Sequence, residues 1–76
     1  MIVYESDLKS EAISAMENCR AFTLNGDMER AHYYRGKASA YEDILADEGI
    51  DLSESNSYYA ALLEDYLKAS SKEIRG

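Results

Sequence analysis

Two apolar seams leave the dipeptide Asn25-Gly26 in opposite directions, and no other feature of the chain restricts its fold as much. Before the dipeptide, Leu8, Ala12, Ala15, Cys19 and Phe22 recur at steps of four and three; after it, Ala31, Tyr34, Ala38, Tyr41 and Leu45 recur at three and four. Such steps bring side chains onto one face of an α-helix, whereas a half-buried strand would need steps of two. Folding the chain back about the midpoint between Gly26 and Asp27 sets Phe22 against Ala31, Cys19 against Tyr34, Ala15 against Ala38, Ala12 against Tyr41, and Leu8 against Leu45. Large residues then mostly meet small ones, and the central Ala15/Ala38 pair permits close backbone approach. The pattern predicts an antiparallel helical hairpin.

Composition supports an all-α fold. Proline is absent, and Ala, Leu, Glu and Lys outnumber Val and Thr. A chain of 76 residues reads as a single helical domain, residues 1–76, of a size that buries only about 60% of its unfolded surface. With no disulfide possible within the chain and no metal-ligand cluster, stability must come from helix packing or self-association. Cys19, the only cysteine, lies on the first seam and reads as a buried structural thiol in a reducing compartment. The opening Met1-Ile2-Val3-Tyr4 is too short for a signal peptide or span, and no later apolar run approaches the roughly 18 residues of a membrane helix. The expectation is a soluble, cytoplasmic protein.

Residues 1–5 fit either an extended arm or a first helical turn. Ser6 or Asp7 is then placed to cap a first helix over residues 6–24, which Asn25-Gly26 ends in a left-handed turn. Asp27 caps a second helix reaching Glu48, with Glu29 in its first turn. This helix carries a second apolar flank, Tyr33, Ala40 and Ile44, beside its seam. Gly36 lies on the opposite, polar side as a tolerated exposed glycine. After Gly49 comes a polar connection, 50–57, whose serines or Asn56 can cap a third helix from Tyr58 to Ile74. That helix presents Tyr59, Leu62, Leu63, Tyr66, Leu67 and Ile74, and its expected seat is the flank of helix 2 together with Ile13 and Met16. The expected architecture is an antiparallel hairpin plus third helix, a small three-helix bundle, with a tail from Ser70 that frays.

Chemistry is sparse. His32, the only histidine, shares a helical face with Gly36, Ser39 and Asp43 and reads as a solvated surface side chain. No second His or Cys stands at metal-ligand spacing from it. Serines lack a neighbouring histidine, and no glycine-rich phosphate loop occurs. The expectation is a non-enzyme with no cofactor and no metal.

Charge is the uneven feature. No Lys or Arg occurs from Ala38 through Leu67, a window that holds Glu42, Asp43, Asp47, Glu48, Asp51, Glu54, Glu64 and Asp65, while the net charge of the whole chain is −7. Helix 2 changes sign along its length, from Arg30, Arg35 and Lys37 to acids alone. Interspersed charges would serve solubility equally well. Seven tyrosines, with no tryptophan and one phenylalanine, add residues suited to interfaces. Tyr58 and Tyr59 are adjacent and do not both face a core easily. The candidate partner-binding set is therefore Glu42, Asp43, Asp47, Glu48, Asp51, Glu54, Tyr58 and Tyr59, with carboxylates spaced to imitate a line of phosphates. Direct nucleic-acid binding, which relies on Lys and Arg contacts to phosphate, is disfavoured.

The stretch Gly26-Asp27-Met28-Glu29-Arg30-Ala31, continuing through Gly36 to Ala40-Tyr41-Glu42-Asp43-Ile44-Leu45, resembles the hairpin helices of short phage proteins. In general character the chain resembles the small inhibitors of phages and mobile elements, of the anti-CRISPR and anti-restriction type. That resemblance implies docking on a basic, nucleic-acid-binding surface of a host protein. The competing expectation is a self-assembly module, in which the exposed flanks of two hairpins meet in a homodimeric bundle.

Overall fold

The computed structural model describes residues 5–75, with side chains through Lys72, and every regular element among them is a helix. Four occur in the order α1 (Glu5–Leu24), α2 (Met28–Asp47), α3 (Leu52–Ser55) and α4 (Ser57–Arg75). The protein is all-α. It is also elongated, with principal extents of 42 × 22 × 17 Å.

One device ends both long helices. Gly26 at φ +82° and Gly49 at φ +81° take the left-handed conformation, which a side chain disfavours. After α1 the Asp27 amide donates to the Phe22 carbonyl at 2.9 Å and the Gly26 amide to Thr23 at 3.2 Å; after α2 the Ile50 amide donates to Leu45 at 3.0 Å and the Gly49 amide to Ala46 at 2.9 Å. Both are Schellman motifs, which satisfy carbonyls the helix itself leaves open. Asp27 then caps α2, its carboxylate accepting from the Arg30 amide at 3.3 Å, and Asn56 caps α4 by accepting from the Tyr59 amide at 3.0 Å.

The starts and stops differ in places from the sequence reading. α1 is already helical at Glu5, so Ser6 and Asp7 lie inside its first turn and do not cap it. The question of an arm over Met1–Tyr4 lies outside the described residues, as does the side chain of Ile74. The polar connection after Gly49 contains the single-turn α3, because Asp51 accepts from the Glu54 amide at 3.3 Å and from the Ser53 hydroxyl at 2.8 Å. The tail from Ser70 is helical through Arg75.

Both seams face inward. Leu8, Ala12, Ala15, Met16 and Cys19 of α1 are buried with Ala31, Ala38 and Leu45 of α2, Leu52 of α3, and Tyr59, Leu62 and Tyr66 of α4. Phe22, Tyr34 and Tyr41 pack against this core half-buried, and the Phe22 and Tyr34 rings stack at 5.5 Å. Full burial of side chains this size is worth about 1.5–3 kcal/mol each, set against the conformational entropy of ordering them.

The position of α4 departs from expectation. It lies against α1 and α3, and it reaches α2 where the Arg35 guanidinium donates to the Tyr59 hydroxyl and where the Tyr66 hydroxyl hydrogen-bonds His32 Nδ1. The flank of α2 is left uncovered, with Tyr33 65% and Ile44 47% exposed and Ala40 exposed between them. The reason is polar. The inner edge of α4 carries two tyrosine hydroxyls that need partners when buried. Arg35, Glu42 and His32 supply them, whereas Tyr33, Ala40 and Ile44 offer no polar group except the Tyr33 phenol.

Candidate functional site

The acidic window divides into carboxylates engaged by the fold and carboxylates facing solvent. Glu42 belongs to the first group. Arg35, two turns earlier on α2, donates Nη1 to Glu42 Oε2, and the same nitrogen lies 3.4 Å from the Tyr59 hydroxyl and 3.8 Å from Met16 Sδ. Both charged side chains are only 22% exposed. Burial pushes the Tyr59 phenol well above the ordinary tyrosine range, helped by its hydrogen bond to Glu42 and that residue's charge. Burial works against the Arg35 charge, but Glu42 and the Tyr59 phenol together outweigh it and the guanidinium is held more firmly protonated than usual. Glu42 and Tyr59 are thus parts of one internal junction between α1, α2 and α4. They were expected on the partner-binding surface; Tyr59 has no exposed area, and Glu42 is consumed by Arg35.

Asp65 pairs with Arg20 of α1 at 3.2 Å and Glu64 with Lys68 at 3.2 Å, so these two acids are also compensated. Asp43, Asp47, Glu48 and Glu54 are exposed, and among the described residues no cation lies within ion-pair distance of them. Asp51 is exposed as well. Its carboxyl is held below the ordinary range by the Ser53 hydroxyl and the Glu54 amide, so it stays ionised while capping α3.

Asp47 closes α2 and Glu48 is its C-cap, and α2 has no basic residue in its last turn. The backbone dipole already places negative charge there, so each acid adds to it where a base would offset it. Beside this end lies an open groove of about 410 Å³, lined by Glu42, Asp43 and Asp51 together with Ile50 and Leu52. Among the described residues no three His, Cys, Asp or Glu side chains converge to hold a metal ion.

Tyr58 is 49% exposed and donates its hydroxyl to Glu17 Oε2 at 2.7 Å, which pushes its own ionisation upward. It therefore sits beside α1. His32 is exposed, as its helical face predicts, and its Nδ1 also lies 2.7 Å from the Tyr66 hydroxyl, with the rings edge to face. Sequence reasoning missed the Arg35–Glu42–Tyr59 junction. A signal was present, since Arg35 and Glu42 each follow a seam alanine, Ala31 or Ala38, by four residues.

No helix among the described residues is long and apolar enough to cross a membrane. No protein-family model, no curated protein and no solved structure matches the chain.

Proposed function

We propose that the protein is a cytoplasmic binding module and not an enzyme: a small acidic inhibitor, of the phage or mobile-element kind, that docks on a basic, nucleic-acid-binding surface of a host protein. Its scaffold is an antiparallel α1–α2 hairpin closed into a three-helix bundle by α4. In support of that register, Glu5 and Leu8 of α1 line a shared depression with Ile44, Leu45 and Glu48 of α2.

One observation carries the functional reading. Among the described residues, Asp47 and Glu48 have no cation at ion-pair distance, at the end of a helix where backbone electrostatics disfavour them, next to exposed Asp43 and Glu54. Nothing among the described residues accounts for that sign. A basic partner does, because opposite charge across an interface speeds association and fixes orientation. The docking set is Asp43, Asp47, Glu48, Asp51 and Glu54, and Tyr58 provides an aromatic rim nearer α1.

The test is capture of a partner from a bacterial lysate at low salt, followed by competition with duplex DNA for the purified partner. Displacement of the protein by DNA, and loss of binding on changing Asp43, Asp47 and Glu48 together to lysine, are expected. A partner that binds the triple variant as well as the parent would refute the reading.

A further inference from the structure

We draw no further inference here: the strongest candidate, the exposed surface patch of Tyr33, Ala40 and Ile44 along α2, carries none because nothing in the structure shows what covers it.

Discussion

Arg35 touches a carboxylate on its own helix, a phenol on α4 and a thioether on α1. Removing the charge of Glu42 leaves a half-buried guanidinium without its counter-ion, so Glu42→Gln should cost about 1–3 kcal/mol in chemical denaturation. Tyr59→Phe, which keeps the ring and deletes only the hydroxyl, should cost about 1 kcal/mol by the same measurement. Alkali provides an independent check. Because the folded Tyr59 phenol is raised, its contribution to stability is complete below the ordinary tyrosine value of about 10. It is lost as pH rises from that value through the folded one. Unfolding should therefore become easier in that alkaline range, with a smaller slope in Tyr59→Phe. An equal slope in both proteins would deny Tyr59 its buried, carboxylate-facing position.

Among the elements, the two long helices were legible because three-and-four spacing has one physical meaning, and Leu8, Ala12, Ala15, Cys19, Ala31, Ala38 and Leu45 are all buried as the seams require. Enlarging Ala15 or Ala38, both buried in the core, to leucine should overpack it and cost about 1–3 kcal/mol. Gly26→Ala and Gly49→Ala should each cost about 1–2 kcal/mol, since alanine is strained at positive φ whatever the surrounding space. Thermal melting of the four variants checks both statements; unchanged midpoints would contradict them. The helix α3 was harder to see because a single turn has no period, though Asp51 three residues before Glu54 is the spacing of a capping interaction. The seat of α4 was not legible at all. Apolar pattern alone favours the Tyr33, Ala40 and Ile44 flank, whereas the deciding contacts join residues far apart in sequence, Tyr59 with Arg35 and Tyr66 with His32.

For the whole molecule, the charge window grouped side chains that the fold separates. Sequence adjacency grouped Glu42 with Asp43 and Tyr58 with Tyr59, yet one residue around a helix is a turn of about 100°. Each pair is split between interior and surface. What remains is an acidic end on a small elongated bundle, held apart from the core and unfavourable for α2 itself. Changing Asp47 and Glu48 to lysine should accordingly stabilise the fold by about 0.3–1 kcal/mol per site while harming the proposed docking. The most direct measurement is the association rate with the captured partner, for the parent and for the Asp43, Asp47 and Glu48 lysine variant, at low and at high salt. Fast, steeply salt-dependent association is expected of the parent, and slow, salt-insensitive association of a variant no less stable. Equal rates for the two proteins at both salt concentrations would contradict this expectation.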